Sequence, residues 1–263
     1  MKWAVCYEKA IKPDGSLLFP ERLTHEFLEH ARRTMGSYLF ANQYQNEIIP
    51  EGEKKFKKEW IRCYNELPDR LLHFAFIDPA IGQTKTHDYT ALVVVSVDTE
   101  RRWYVRHASR QRITPSQIIE MCFDVHSKWH CSAIGIESVA FQQALAIFAH
   151  EEAMRRGINL PVTPVPRSGD KTKEMRILSL VPRFEWGTLF LAGNQHDLEL
   201  ELAQFPRGVH DDIIDALASI EDIVHYPGPA RRKNVEPSPN DPRYEEWYRR
   251  NLFKRAGANQ EDF

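Results

Sequence analysis

The sequence is short of cysteine, of long apolar stretches and of net charge, and each shortage excludes a class of protein. Its four cysteines form no C-x-x-C pair and have no histidine partner at zinc spacing, so a structural zinc site is not predicted. No apolar run is long enough to cross a membrane, and the first residues lack the apolar core of a signal peptide. We therefore expect a soluble intracellular chain whose thiols are reduced.

The charges nearly cancel, with 35 basic and 37 acidic residues and a formal net charge of -2. A chain with this balance has no general positive field that would draw it to nucleic acid or anionic lipid. Any contact with DNA must therefore come from a local basic segment or be helped by a partner. The 42% hydrophobic content is ordinary for a globular protein, and 263 residues suffice for one good-sized core.

Composition divides the chain into three zones. Residues 1–68 contain one clear helix, which Thr24 caps and Met35-Gly36 ends, followed by polar and aromatic sequence that must pack on a neighbour. Residues 69–226 form an α/β domain. Residues 227–263 carry five prolines and a short basic run, which predicts a flexible basic tail that orders only on a partner.

The middle zone alternates strand and helix patterns, which predicts a mixed β-sheet flanked by helices. The third predicted strand alternates Trp103 and Val105 with Tyr104 and Arg106, so we expect it to have one solvated face. The predicted strands are 71–77, 91–97, 102–107, 133–136, 160–166 and 188–191, and the predicted helices are 115–129, 141–156, 173–180, 197–204 and 212–224.

Acidic residues stand at three informative places in this order. Asp78 ends the first strand, Glu137 ends the fourth, and the run Asp211-Asp212-x-x-Asp215 opens the last helix. Carboxylates brought together repel one another unless a cation neutralises them. A pair of divalent metal ions is the usual neutraliser, and two such ions make a phosphodiester-cutting site.

Each acid also has a structural explanation. Asp78 could be a turn residue, and Glu137 could face solvent at a strand exit or open the next helix. Asp212 could be an N-cap, with Asp215 at capping-box spacing. Asp88 could be either an outer acid of the site or a turn residue. Asp211 could substitute for its neighbour in binding a metal.

Basic residues concentrate in two segments. The loop and helix start at 167–176 predict phosphate contacts through Arg167, Lys171, Lys173 and Arg176, although a solvated loop has the same composition. A second basic band is formed by Arg101, Arg102, Arg106, Arg110 and Arg112, and a solvated hairpin face would explain it as well.

This order of motifs resembles the RNase H-like nuclease fold and, within it, the nuclease part of the large terminase subunit of tailed bacteriophages. Upstream, Gly36 to Gln45 and Phe56 to Trp60 look like the segment that joins the ATPase of that DNA-packaging motor to its nuclease. The resemblance covers nearly everything up to residue 226. The residues that carry it are Asp78-Pro79-Ala80, Asp88-Tyr89-Thr90, Ile136-Glu137, Lys171-x-Lys173-Glu174-x-Arg176, Phe205-Pro206 and His210-Asp211-Asp212-x-x-Asp215-Ala216-Leu217.

The resemblance implies an endonuclease that cuts double-stranded DNA with two Mg²⁺ or Mn²⁺ ions and little sequence preference. Asp78 would bridge the ions, Glu137 would hold one, and Asp212 with Asp215 the other, while Lys173 would lie closest to the scissile phosphate. The implied partners are the terminase small subunit, the portal and an ATPase domain, with no membrane. The implied location is the host cytoplasm.

One family feature is missing, because no phosphate-binding G-x-x-x-x-G-K-[ST] loop occurs in the sequence. We therefore expect no ATP hydrolysis by this chain, which would be a C-terminal part or the product of a split gene. Two alternatives remain. A RuvC-type junction resolvase shares the Asp-x-x-Asp-Ala-Leu-Ala ending, although the segment Gly36 to Trp60 argues against it. A non-catalytic module that docks on portal, capsid or an ATPase chain is the other.

Overall fold

The computed structural model describes residues 8–47, 55–79, 89–138, 142–166 and 172–227, together with Tyr244. Within these residues, six strands form a single sheet in the order β5-β4-β1-β2-β3-β6. The strands β1, β2 and β3 form an antiparallel meander. Strand β4 runs parallel to β1, β5 runs parallel to β4, and β6 runs parallel to β3. The predicted mixed sheet with flanking helices is confirmed. Apart from Pro227 and Tyr244, the predicted tail lies outside the described residues.

The strands and helices follow the predicted order, with one additional short helix and two 3₁₀ turns. The strands are β1 (Leu72–Asp78), β2 (Thr90–Val97), β3 (Trp103–Gln111), β4 (Ala133–Ser138), β5 (Val162–Pro166) and β6 (Leu189–Leu191). The helices are α1 (His25–Tyr44), α2 (Pro115–Trp129), α3 (Gln142–Arg156), α4 (Lys173–Leu178), α5 (Val181–Glu185), α6 (His196–Gln204) and α7 (Asp212–Ala218), with short 3₁₀ turns at Lys58–Trp60 and Ser219–Asp222.

The middle of strand β1, from Phe74 to Ile77, is apolar because both of its faces are covered. Alternate side chains of a strand point to opposite faces. Accordingly, Phe74 and Phe76 join the core cluster that also contains residues of α4 to α7, and Ala75 and Ile77 join the cluster built with α2 and α3. The two clusters therefore lie on opposite faces of the sheet, one covered by α4 to α7 and the other by α2 and α3.

The expectation of a solvated face on β3 is wrong. Tyr104 is buried, stacks on Phe190 of β6 and meets the Tyr64 ring edge to face. The residues that cover this face come from a strand far along the chain and from a segment that precedes β1. A local alternation of apolar and polar residues therefore could not reveal the covering.

The N-terminal helix does not end at Gly36. The chain kinks there, with φ 79° and ψ 163°, and helical structure resumes and continues to Tyr44. The kink is docked on α5, because the backbone N–H of Ser37 donates to Glu185 Oε2 at 2.9 Å. The sequence pattern predicts one helix at 173–180. In the structure, α4 ends at Leu178, and a separate helix that the pattern does not predict, α5, begins at Val181. The boundary predicted at residue 68 remains a prediction.

Three of the cysteines lie in the described part of the chain, and all three are free. Burial raises the pKa of both Cys122 and Cys131 to about 12, so these thiols stay protonated and unreactive at neutral pH. No helix among the described residues combines the length and the apolar character that crossing a membrane requires.

Candidate metal centre

Asp78 is the last residue of β1, and Glu137 is the last but one of the neighbouring strand β4. Strands β1 and β4 are parallel and in register up to the pair Ile77 and Ile136, and the two acids are the next residues along each strand. Because side chains alternate along a strand, Asp78 lies on the same sheet face as Phe76. Ile136 lies on the other face, so Glu137, the next residue, lies on the face of Phe76 and Asp78. The fold therefore brings both carboxylates to one edge and one face of the sheet.

Neither structural explanation offered for Glu137 fits its position. The residue belongs to β4 rather than to the next helix, and only 7% of its surface is exposed, so it is not at a solvent-facing strand exit. A glutamate is rarely buried to this degree unless a cation or hydrogen-bond donors compensate its charge.

Asp215 lies on α7, the helix that covers the same face of the sheet. Helix α7 packs on β1 and β2, and Asp215 is completely buried. The guanidinium of Arg176 on α4 holds its carboxylate, with Nη2 at 3.0 Å from Oδ1 and 3.1 Å from Oδ2. Lys173 Nζ lies 3.9 Å from Oδ2. The buried charge of Asp215 is therefore opposed by two cations of one short helix.

Lys173 also reaches the other acids at the start of α7. Its Nζ lies 2.6 Å from Asp211 Oδ1 and 3.8 Å from Asp212 Oδ1. Burial disfavours the charge of Lys173, but the hydrogen bond to Asp211 and the nearby carboxylates outweigh this effect and raise the pKa of Lys173 above its usual value. The amine is therefore protonated at neutral pH.

A cavity of about 230 Å³ lies between the end of β4, α4 and the turn after α7. Glu137, Arg176 and Asp222 are among its lining residues, so the residue that pairs with Asp215 also borders the space beside Glu137. Asp222 is an acid that sequence reasoning missed, because it falls in the 3₁₀ turn after α7 and not in any of the motifs. The cavity shows that β4, α4 and the end of α7 share one site.

Among the residues that the structure describes, no three His, Cys, Asp or Glu side chains are grouped closely enough to hold a metal ion as they stand. The donor set nevertheless fits a hard divalent cation, because it consists of carboxylates on rigid elements, two of them buried. The Arg176 guanidinium contacts both oxygens of Asp215, so a metal ligated there would have to share these oxygens with it or displace it. Metal binding by Asp78, Glu137, Asp212 and Asp215 remains a prediction.

The start of α7 is capped by a residue from another helix. Asp211 is the N-cap but its side chain makes no capping hydrogen bond, so the alternative of Asp212 as a cap is wrong. Instead, Glu201 Oε2 accepts from the backbone N–H groups of Ile213 and Ile214, at 2.9 and 3.0 Å. Sequence reasoning missed Glu201, because a glutamate in a helix of mixed polarity carries no signal of its partner.

The predicted basic residues divide into two groups. Arg167 and Lys171 lie outside the described residues, as does Asp88. Lys173 and Arg176 face the acids of α7, as described above. The second basic band is not one surface: Arg106 lies over the Trp129 ring of α2 at 4.8 Å, whereas Arg110 pairs with Glu201 of α6 on the other side of the sheet.

A family model described as the terminase RNaseH-like domain matches residues 75–220. The match runs from the middle of β1 to the 3₁₀ turn after α7, which is more than half of the chain. It includes every acid discussed above except Asp222. The chain belongs to the terminase RNaseH-like domain family. Both the resemblance and the fold predicted from the sequence are therefore confirmed.

Solved structures extend the comparison. The large terminase of a thermophilic bacteriophage, in its second crystal form, matches with a TM-score of 0.55 and 9% identity, over 78% of this chain and 53% of that chain, and shows a common fold. This chain thus spans about half the length of that protein. A weaker likeness is the large terminase nuclease of thermophilic phage G20c with bound magnesium. It has a TM-score of 0.47 and 20% identity, over 68% of this chain and 100% of that chain. Thermus thermophilus RuvC in complex with a Holliday junction is also a weaker likeness, with a TM-score of 0.35 and 18% identity over 56% of this chain and 89% of that chain. A search of curated proteins found no match.

Proposed function

We propose that the chain is a divalent-metal-dependent endonuclease that cuts double-stranded DNA during viral genome packaging. One observation carries the proposal: Asp78 and Glu137 end adjacent parallel strands on the sheet face that α7 covers with the buried Asp215. Membership of the terminase RNaseH-like family supports it. Carboxylates that come from three separate elements, two of them buried, are costly for stability alone, and a site that binds cations explains why they are there.

The residues that would hold two Mg²⁺ or Mn²⁺ ions are Asp78, Glu137, Asp215 and Asp212 or Asp211. Such ions, when bound, supply an activated water and stabilise the departing 3′ oxygen. The chain itself supplies rigidity, because Asp78 and Glu137 are the ends of central strands rather than loop residues. It also supplies the positive charge of Arg176 and Lys173, which opposes the negative charge of the buried Asp215.

Lys173 is the residue of this site best suited to a DNA phosphate. Its side chain is 40% exposed and protonated, whereas that of Arg176 is 15% exposed and engaged with Asp215. A protonated lysine cannot act as a general base, so its contribution is to attract and orient the scissile phosphate. Arg167 and Lys171 would extend this phosphate contact. Contacts to phosphate carry no sequence information, so cutting with little sequence preference is expected.

The packaging role, the host-cytoplasmic location and the partners are the finer parts of the proposal. The small subunit, the portal and an ATPase domain are expected from the family alone. Since this chain spans about half of the bacteriophage large terminase that it matches and has no phosphate-binding loop, an ATPase would have to be supplied by other sequence.

The direct test is the incubation of supercoiled plasmid with Mn²⁺ and the unmutated chain, Asp78→Ala or Asp69→Ala. Asp69 is an exposed aspartate shortly before β1 and serves as the matched control. We expect nicked and linear plasmid from the unmutated chain and the control, and only background cleavage from Asp78→Ala. Cleavage that survives Asp78→Ala would refute the site assignment. No cleavage by the unmutated chain would favour the docking module, and selective cleavage of four-way junctions would favour a resolvase.

A further inference from the structure

The acids of α7 depend on a helix start that has no cap of its own. The first N–H groups of any helix lack partners within the helix. In α7, two of these groups, those of Ile213 and Ile214, are buried and donate to Glu201 of α6. These two residues lie between Asp212 and Asp215, so the carboxylate that holds their backbone also fixes the backbone that carries both acids.

Glu201 is itself held in place. Only 3% of its surface is exposed, and its second oxygen, Oε1, accepts from Arg110 Nη1 of β3 at 3.1 Å. One carboxylate therefore ties α6, α7 and β3 together through three hydrogen bonds, which are strongest when it is ionised. Burial raises the pKa of Glu201 to about 7, although the three donors oppose this effect. A shift of the first turn of α7 away from the sheet would break two of the bonds and would leave buried N–H groups unpaired.

We propose that Glu201 is a positioning residue that sets the register of Asp212 and Asp215 relative to Asp78 and Glu137, and thereby the affinity of the site for divalent metal. The inference rests on the proposed function. Both oxygens of Glu201 accept from donors of the protein, so its effect on the site would be exerted through the backbone of α7. A residue that merely stabilised the fold would leave the metal affinity of the folded protein unchanged.

The test compares Glu201→Ala and Glu201→Gln with Glu199→Gln. Glu199 lies two residues earlier on α6, and within the described residues its side chain has no hydrogen bond to α7. The chain without DNA is titrated with Mn²⁺ and free Mn²⁺ is followed by electron paramagnetic resonance. Cleavage rates are then measured as a function of Mn²⁺ concentration. Hydrogen exchange of the amides of Ile213 and Ile214 reports on the helix start itself.

We expect the Mn²⁺ dissociation constant to rise about tenfold in Glu201→Ala, as is typical when a residue that orients a metal ligand is lost. The rise should be smaller in Glu201→Gln, which keeps an acceptor for the two N–H groups, and absent in Glu199→Gln. Saturating Mn²⁺ should restore most of the cleavage rate. Amide exchange at the start of α7 should accelerate in the same order.

Two outcomes separate this inference from the proposed function. If the unmutated chain binds Mn²⁺ and both folded Glu201 variants bind it equally well, the positioning role is overturned and the nuclease proposal stands. If the unmutated chain binds no Mn²⁺, the proposed function fails and the positioning role fails with it. Should Glu201→Ala not fold, as judged by circular dichroism, unchanged affinity in Glu201→Gln alone would overturn the positioning role.

Discussion

Asp215 is fully enclosed, yet its carboxylate is paired with a guanidinium and lies near an ammonium group. Removing one member of a buried ion pair leaves the other charge without compensation, which costs more than the pair itself contributes. Arg176 is therefore a structural partner of Asp215 in the metal-free chain. The free energy of unfolding should reveal this coupling independently of any activity.

We expect Asp215→Asn to lower the free energy of unfolding by about 3 kcal/mol, because it leaves the Arg176 charge in a largely buried place. Adding Arg176→Gln should recover part of this loss. Urea denaturation of both single variants and the double variant measures the coupling. Asp124→Asn, at an exposed position of α2, is the control and should change little. Strictly additive effects of the two substitutions would contradict the pairing.

The sequence identified some residues of the site and not others, for a physical reason. Asp78 and Glu137 could be located because each follows an apolar run that ends at a strand terminus, and Asp215 because it falls in a helix-opening acidic run. Glu201 and Asp222 could not, since what distinguishes them is a partner distant in the chain or a cavity. The basic sequence at 167–176 likewise gives no sign that Lys173 and Arg176 pair with acids.

At the scale of single elements, the turn between β2 and β3 is organised by the buried Asp98. Its Oδ1 accepts from the N–H groups of Glu100 and Arg102, both at 2.9 Å, and its Oδ2 accepts from Arg102 Nε at 2.6 Å and from the Tyr104 hydroxyl at 3.1 Å. Burial favours the neutral acid, but these donors outweigh burial and hold the pKa of Asp98 below its usual value of 3.8.

Because the pKa of Asp98 is lower in the folded than in the unfolded chain, its ionised form stabilises the fold above about pH 4. That contribution is lost as the pH falls through the folded pKa. We expect Asp98→Asn to cost about 2 kcal/mol at neutral pH, and the difference from the unmutated chain to shrink on acidification. Denaturation curves at several pH values test this. Glu100→Gln, in the same turn but 69% exposed, is the control. A difference that does not change with pH would be incompatible with an ionised Asp98.

Helix ends set by local chemistry were predictable, and those set by tertiary contacts were not. Thr114 and Pro115 start α2 as expected, because the Thr114 side chain and Gln117 form a capping box within four residues. The kink at Gly36 depends on contacts with Pro182 and Glu185, nearly 150 positions away. The same contacts involve α5, which is too short to show a periodic pattern.

In the molecule as a whole, the sheet and α7 carry to one sheet face acids that are up to 137 residues apart in sequence. The alternating order of strands and helices predicted the mixed sheet, since parallel strands need long crossover connections. It could not give the strand order, which decides that β4 lies beside β1 and that Glu137 is therefore a neighbour of Asp78.

A crystal of the chain soaked in Mn²⁺ and measured for anomalous scattering tests most directly whether these acids bind metal. We expect anomalous peaks within coordination distance of the carboxylates of Asp78, Glu137 and Asp215. Peaks confined to other surfaces, or no peaks at saturating Mn²⁺, would show that these acids do not form a metal site.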